Sequence, residues 1–301
     1  MKIYNNWVKE NCSSLKGKTV CISGASGSIG YYIAYYCLVL EAKLIFAVRN
    51  IERAKKSIKN LTKNFPNADI KIIYVDYEKL DSLNPFINEI KNTKVDYFVN
   101  NAGIYLTKEE LIEHDLERLF CINYLSQYYL VSKLADYIKS RNGKIVSTSS
   151  ISIYFKGSLD LSNFQNRNIN RPLKRYSFSK KDGAYSLMYL KNKYNNFDIA
   201  HPGVTYSGLF LSIENHVPKF IAFFIRNLSK IIFMSNSKAS LSIIYALTHE
   251  LQYGEWVGPR GLFQFWGMPK VFKLRKKYLD NEMQKEIINK TNSLINNIGL
   301  K

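Results

Sequence analysis

The stretch Lys18-Thr19-Val20-Cys21-Ile22-Ser23-Gly24-Ala25-Ser26-Gly27-Ser28-Ile29-Gly30 decides the reading of this chain. Its first part is a short β-rich run, its second a glycine-punctuated turn, and an apolar helical stretch to about residue 40 follows. Glycines let the backbone turn tightly and approach a ligand, and the helix that opens behind them presents its N-terminus to an anion such as a pyrophosphate. Ser26 and Ser28 add hydroxyl donors, so Gly24, Ser26, Gly27, Ser28, Ile29 and Gly30 form a candidate phosphate cradle. The bland alternative is a strand-to-helix turn with a serine N-cap. Placement at the end of the first strand favours the cradle.

Outward from this turn the pattern repeats. Strands are predicted at 43–48, 70–75, 95–99, 144–148 and 197–200. Helices are predicted at 51–65, 80–90, 119–139, around Tyr176 and at 237–251. Strands alternating with helices at this spacing predict an α/β fold, a doubly wound Rossmann-like parallel sheet with helices on both faces. Its ligands bind at the carboxyl ends of the strands near the point where strand order reverses. The 301 residues contain only 7 prolines and 15 glycines and show no linker, repeat or low-complexity segment. One domain over 1–301 is expected, ending in a helical extension over about 270–298.

The second strand ends Ala47-Val48-Arg49-Asn50. An acid at this place rejects a 2′-phosphate on the adenine ribose, whereas a guanidinium matches one in charge and fork geometry. Arg49 and Asn50 are therefore read as an NADP(H) rather than NAD(H) signal, against the alternative of a surface arginine at the start of a helix.

Bulk composition narrows the function classes. The net charge of +19 would attract nucleic acid, anionic lipid or anionic substrates, but the lysines are spread along the chain and no nucleic-acid-binding module is visible. An AT-rich coding bias accounts for the charge. The cysteines Cys12, Cys21, Cys37 and Cys121 form no CxxC pair, and no signal-peptide pattern precedes them, so buried thiols in a reducing cytoplasm are expected. The 4 histidines have no metal-ligand spacing, so no metal site is expected.

The chemistry lies further along. Tyr176 and Lys180, in Tyr176-Ser177-Phe178-Ser179-Lys180, fall one helical turn apart on one face. A phenol beside an ammonium is easier to deprotonate, which suits a general acid/base. Upstream, in order, stand Asn100-Asn101-Ala102-Gly103, Asn123 in Cys121-Ile122-Asn123-Tyr124, and Ser147-Thr148-Ser149-Ser150. Downstream is His201-Pro202-Gly203-Val204-Thr205-Tyr206-Ser207.

Together these motifs resemble the short-chain dehydrogenase/reductase family, classical type, from about Lys16 to the C-terminal helix. The gap of 26 residues between Ser150 and Tyr176, Arg49, the His201–Gly203 run and Gly258-Pro259-Arg260-Gly261 are similar to the retinol-dehydrogenase-like branch. The resemblance implies hydride transfer between a nicotinamide and a carbonyl or alcohol carbon. It implies a catalytic tetrad of Asn123, Ser150, Tyr176 and Lys180. Tyr176 exchanges the proton and Lys180 lowers its pKa and holds the ribose. Ser150 binds the substrate oxygen, and Asn123 kinks its helix and holds a water. It also implies cofactor contacts from Asp76 and Tyr77 at the adenine, from Asn101, Ala102 and Gly103, and from Pro202, Gly203, Thr205 and Ser207. His201 is expected to be structural.

Two departures open a second reading. Gly24, Gly27 and Gly30 are evenly spaced, which resembles the extended branch of sugar-nucleotide epimerases and dehydratases, and Ser207 stands where the family often has threonine. A non-catalytic NADP(H)-binding sensor is a third reading, against which the intact tetrad speaks. The apolar segment at about 207–235, with Ile221, Phe224, Ile225, Leu228 and Ile232 on one helical face, is expected to be a helical substrate lid that favours a lipophilic alcohol, ketone or aldehyde. It is too short and charged to span a membrane, though a lid over a lipidic substrate would touch a membrane surface. A homodimer or homotetramer is expected from the family habit alone.

Overall fold

The computed structural model describes residues 2–105, 107–205 and 233–300. The strands are β1 (Thr19–Ser23), β2 (Lys43–Val48), β3 (Ile70–Tyr74), β4 (Tyr97–Asn100), β5 (Leu111–Ile112), β6 (Leu116–Glu117), β7 (Lys144–Thr148), β8 (Phe197–Ala200), β9 (Glu255–Pro259) and β10 (Pro269–Lys273). β5 and β6 make a small hairpin. The others form one sheet in the order β10-β9-β8-β7-β4-β1-β2-β3. Pairing is parallel throughout except for the antiparallel β10 on the edge.

The helices are α1 (Lys2–Asn11), α2 (Ser28–Val39), α3 (Ile51–Thr62), α4 (Leu83–Asn92), α5 (Arg118–Phe120), α6 (Ser126–Ser140), α7 (Pro172–Tyr194), α8 (Asn236–Ala239), α9 (Leu241–Thr248) and α10 (Asn281–Asn297). Parallel strands covered on both faces read as near-continuous apolar runs, and β1 and β2 do so with almost every residue buried. Alternate side chains feed two cores. Cys21 and Ile45 face Phe86, Tyr129 and Met188 of α4, α6 and α7. Val20, Ile22 and Leu44 face Ile33 and Tyr36 of α2 and Ile243 of α9. α10 lies against α6 and α7, where Thr291 and Asn292 pair with the Tyr124 and Tyr128 hydroxyls.

The chain runs outward from β1 to β3 and then returns to β4 on the other side of β1. Strand order therefore reverses between β1 and β4, whose partners include Ile22 and Val99. That reversal leaves a crevice beyond their carboxyl ends.

Several expected elements differ in detail. The helix expected over 119–139 is continuous but carries a five-residue π turn at Cys121–Leu125 between α5 and α6. The helix expected over 237–251 is broken into α8 and α9 at Ser240. The C-terminal extension expected to be helical from about 270 begins instead as strand β10, and its helix starts only at Asn281, capped by Asp280. Lys270 and Lys273 flank apolar Val271 and Phe272, a pattern that suits a charged sheet edge and carries no helical period. The expected lid and Ser207 lie outside the described residues, apart from its last residues. There Thr205 pairs with Met234 in an isolated parallel bridge. Among the described residues no helix is long and apolar enough to cross a membrane.

Candidate active site

A cavity of about 550 Å³ opens at the carboxyl ends of the strands. One end is built from backbone. Gly24 accepts a left-handed φ of 65°, and its amide donates to the Ala47 carbonyl at 2.9 Å. A β-carbon on Gly30 would lie 2.2 Å from the Gly24 carbonyl oxygen, and one on Gly24 3.0 Å from the Ala102 Cα. Both glycines thus let the turn and helix α2 pack against the strands. Gly27 is the N-cap of α2 and supplies no side-chain cap, so the first amides of the helix face the cavity without a protein acceptor on that residue. Ser26, Ser28 and Ile29 line the same wall.

Asn101, Ala102 and Gly103 form the floor. The Ser23 hydroxyl oxygen accepts from the amides of Asn101 and Ala102, both at 2.9 Å, and the Asn101 amide group donates to the Ser23 carbonyl at 3.1 Å. Asn101 also accepts from the Thr148 hydroxyl at 3.3 Å. This residue ties β1, β4 and β7 together at the point where the sheet order reverses.

Further round the rim, Asp76 lines the cavity, but its carboxylate accepts from the Glu78 amide at 3.0 Å. The Tyr77 ring is buried and its hydroxyl donates to Asn100 at 3.1 Å. Asn50 caps α3 by accepting from the Arg53 amide at 2.8 Å. Arg49 faces a carboxylate: Glu78 holds it at 2.5 Å and Arg118 at 2.9 Å. The strand β2 itself ends without an acid, but one arrives from beyond β3, a pairing invisible in sequence order.

The other end of the cavity gathers Ser150, Tyr176 and Lys180, and Asn123 lines a smaller cavity beside it. Tyr176 sits in the first turns of α7, which Arg175 anchors by donating to the carbonyls of Ile169 at 2.5 Å and Thr107 at 2.6 Å. The Ser150 hydroxyl lies within hydrogen-bonding reach of the Tyr176 phenol. It also accepts from the Ser152 amide at 3.2 Å, so one hydroxyl both caps the turn after the strand and faces the phenol. Lys180 donates to the Thr148 carbonyl at 3.0 Å, with its nitrogen 6.0 Å from the centre of the Tyr176 ring.

Asn123 stands in the π turn, and its carboxamide both donates to and accepts from the Ile104 backbone, at 2.9 and 2.8 Å. A β-carbon on Gly103 would be 3.0 Å from the Asn123 Oδ1 and 3.8 Å from the Lys180 Nζ. The last glycine of Asn-Asn-Ala-Gly thus makes room for the Asn123 carboxamide, while Lys180 lies at ordinary contact distance. Behind Asn123, a small cavity of about 20 Å³ is lined by Asn100, Tyr124, Gln127 and Ser186. It has room and polar partners for one water.

The electrostatics differ from the simple expectation. Burial drives the Tyr176 phenol above its usual range, with the Ser150 hydrogen bond pulling the other way. Lys180 does not enter that balance, its nitrogen being turned to the Thr148 carbonyl, and burial pushes its own ammonium down to about 8. His201 is fully buried and stacked on Trp256, and burial lowers it to about 4 against the opposing Gln264 hydrogen bond. It accepts from the Gly203 amide at 3.2 Å and pairs with Gln264 at 2.9 Å, holding the Pro202-Gly203 turn as a neutral ring.

Pro202, Gly203 and Thr205 line the cavity. Residues not anticipated from sequence also do so: Arg53, Glu78, Tyr105, Phe155 and Leu173. Tyr105 packs edge-on to Tyr176 with ring centres 4.5 Å apart. Phe155 and Leu173 are 40% and 39% exposed at the rim. Only Arg53 carried a signal, three residues after a capping asparagine. Among the described residues, no group of histidines, cysteines or acids is arranged to hold a metal, and all four cysteines are buried free thiols.

Residues 18–159 match the family profile described as short chain dehydrogenase. Over that segment, just under half of its length, the chain is similar to the short-chain dehydrogenases. Human retinol dehydrogenase 13 is 28% identical over 163 residues, covering 52% of this chain and 49% of that protein. The chloroplastic short-chain dehydrogenase TIC 32 B of Brassica napus is 30% identical over 144 residues, 45% of either chain. The alignments thus span about half the length of the curated relatives. Among solved structures, an uncharacterized protein from Mycobacterium paratuberculosis aligns over 95% of this chain and 96% of that one, with a TM-score of 0.75 at 21% identity. Levodione reductase aligns over 78% of this chain and 91% of that one, with a TM-score of 0.62 at 16% identity. These two share the fold.

Proposed function

We propose that the protein is an NADP(H)-dependent oxidoreductase acting on a lipophilic alcohol, ketone or aldehyde. The observation that carries this is the meeting of Tyr176, Ser150 and Lys180 in the same cavity that the glycine turn and α2 N-terminus enclose. The fit to a dinucleotide is supported by the crowding at Gly24 and Gly30, which only glycine tolerates. It is supported too by Arg53, an exposed cation on the cavity with no ion-pair partner among the described residues. Gly24, Ser26, Gly27, Ser28, Ile29 and Gly30 would hold the pyrophosphate. Arg49, Asn50 and Arg53 would hold the phosphorylated ribose, and Asp76 and Tyr77 the adenine. Asn101–Gly103, Pro202, Gly203, Thr205 and Ser207 would hold the nicotinamide end. When bound, the cofactor supplies or accepts the hydride at the substrate carbon.

The chain's own residues handle everything else. Tyr176, kept protonated at neutral pH by its surroundings, donates its phenolic proton to the carbonyl oxygen in reduction and recovers it in the reverse direction. Ser150 hydrogen-bonds the same oxygen as negative charge grows there. Lys180, pinned by Thr148, puts a positive charge beside that oxygen while it remains protonated. Asn123 braces the loop after β4 through Ile104, and a water serving Lys180 would be held by backbone that the π turn opens.

Tyr105, Phe155 and Leu173 give the substrate end an aromatic and aliphatic wall, which suits a lipophilic carbonyl better than a nucleotide sugar. The four buried thiols suit a reducing cytoplasm. The test is NADPH consumption with a panel of lipophilic aldehydes and ketones, set against product analysis of nucleotide sugars, whose epimerisation or dehydration consumes no cofactor overall. Turnover with the former alone is expected. Turnover with nucleotide sugars, or nucleotide binding without any turnover, would overturn the reading in favour of the extended-type enzyme or the sensor.

A further inference from the structure

The cofactor end holds an acid that its proposed task does not ask for. Glu78 lines the cavity with Arg49, Asn50 and Arg53. Its carboxylate oxygen Oε1 takes Arg49 at 2.5 Å and Arg118 at 2.9 Å, and Arg118 turns to Glu110 at 2.9 Å. Arg49 is 54% exposed, so it is free to swing, whereas Glu78 and Arg118 are 21% and 25% exposed and more firmly set. The Asp76 carboxylate grips the Glu78 amide at 3.0 Å, and the Ser82 hydroxyl donates to the Asp76 carbonyl at 2.8 Å. Glu78 is thus built into a closed turn. Although burial opposes it, the hydrogen bonds from Arg118 and Arg49 hold the carboxyl below its usual range, so it is an anion at neutral pH.

We propose that Glu78 is a specificity-determining residue for the cofactor. It competes with the 2′-phosphate for Arg49, and it remains paired with Arg118 when Arg49 leaves, so that it tempers the preference for NADP(H) over NAD(H). This rests on the reading of the cavity as an NADP(H) site. A phosphate at Arg49 must replace the Glu78 contact, and the two anions repel across the remaining gap. The second partner is what makes the exchange affordable: with Arg118 still bound, Glu78 is not left as an unpaired charge in a partly buried turn. Arg53 has no carboxylate to give up among the described residues, so it offers the phosphate a first landing point.

The test uses two fragments that isolate the ribose phosphate, 2′,5′-ADP and 5′-AMP, titrated by calorimetry into the wild type and Glu78→Gln. The carboxamide keeps the shape of the side chain and removes the charge. Affinity for 2′,5′-ADP is expected to rise about fivefold or more, as loss of a partly exposed competing ion pair allows. Affinity for 5′-AMP, which has no 2′-phosphate, is expected to stay the same, and that unchanged value also shows that the variant is folded.

Arg118→Gln serves as the converse, since it leaves Glu78 to Arg49 alone and is expected to weaken 2′,5′-ADP selectively. Both fragments binding the wild type with no gain in Glu78→Gln would overturn the proposal and leave the cofactor reading intact. A loss of 2′,5′-ADP affinity in Glu78→Gln would also overturn it, by making Glu78 a support for Arg49 rather than a rival of the phosphate. Failure of both fragments to bind the wild type would overturn the cofactor reading and the proposal together.

Discussion

The two ends of the cavity are made in different ways. At the proposed cofactor end the parts are mainly backbone: amides at the start of α2, a left-handed Gly24, and a Gly30 that leaves no space for a β-carbon. At the substrate end they are side chains carried on separate elements: Tyr176 on α7, Ser150 after β7, Asn123 in the π turn and Tyr105 after β4. A backbone-built site tolerates almost no change of residue at its glycines and accepts one ligand. A side-chain-built site can exchange its outer wall while keeping the reacting groups. The similarity to short-chain dehydrogenases, which covers residues 18–159, therefore speaks to the first end more firmly than to the second.

Substitutions sharpen this contrast. Gly30→Val should be the most damaging at the cofactor end, because its Cβ would meet the Gly24 carbonyl oxygen at 2.2 Å. Calorimetric NADPH affinity is expected to fall by about a hundredfold or more, as the helix N-terminus is pushed off its strand. Next comes pH. Below about 8 Lys180 is a cation, and because burial depresses it, raising the pH strips its proton while Tyr176 is still protonated. For carbonyl reduction, kcat/KM should be flat near neutrality and fall about tenfold per pH unit above about 8, the slope of a single titrating group. A profile flat to pH 10 would remove Lys180 from the site.

Gly103→Ala probes the seam between the two ends, since the added carbon sits 3.0 Å from the Asn123 Oδ1. Displacing Asn123 by a few tenths of an ångström should lower kcat about tenfold, with little change in NADPH affinity. The smallest effect is expected at the rim: Phe155→Ser or Leu173→Ser should raise KM for lipophilic carbonyls about threefold to tenfold and leave kcat and NADPH affinity alone. If the rim variants instead weaken the cofactor, the two ends are not separate.

The sequence was most readable where chemistry and local geometry coincide. β1, β2 and β8 fall on the residues expected to within one position, because buried parallel strands announce themselves as apolar runs between glycine and helix signals. That Ser150, Tyr176 and Lys180 share a cavity was readable for a similar reason: Ser150 follows a strand end, and the other two stand one helical turn apart. What escaped depends on contacts between distant segments. Strand β9 joins the sheet through one register pair, Ala200 with Val257, and β10 through β9 alone. Neither has a run long or apolar enough to declare itself.

Tyr105 follows a motif without belonging to it, and only α7 brings Tyr176 against its ring. Arg49 looked free of acids along the chain, and Glu78 reaches it from 29 positions away. The direction of the Tyr176 shift was missed as well. Spacing places a lysine one turn from a phenol, but it cannot register that both are buried and that the lysine is turned to the Thr148 carbonyl.

The most direct measurement follows deuterium from C4-labelled NADPH into the alcohol formed from a lipophilic aldehyde, with wild type and Tyr176→Phe compared at equal NADPH occupancy. The variant keeps the ring against Tyr105 and loses only the hydroxyl, so the cofactor should bind as before and labelled product should form about a thousandfold more slowly. Undiminished label transfer by Tyr176→Phe, or none by the wild type with any carbonyl while NADPH is bound, would contradict a phenol, an alcohol and an ammonium working together in this cavity.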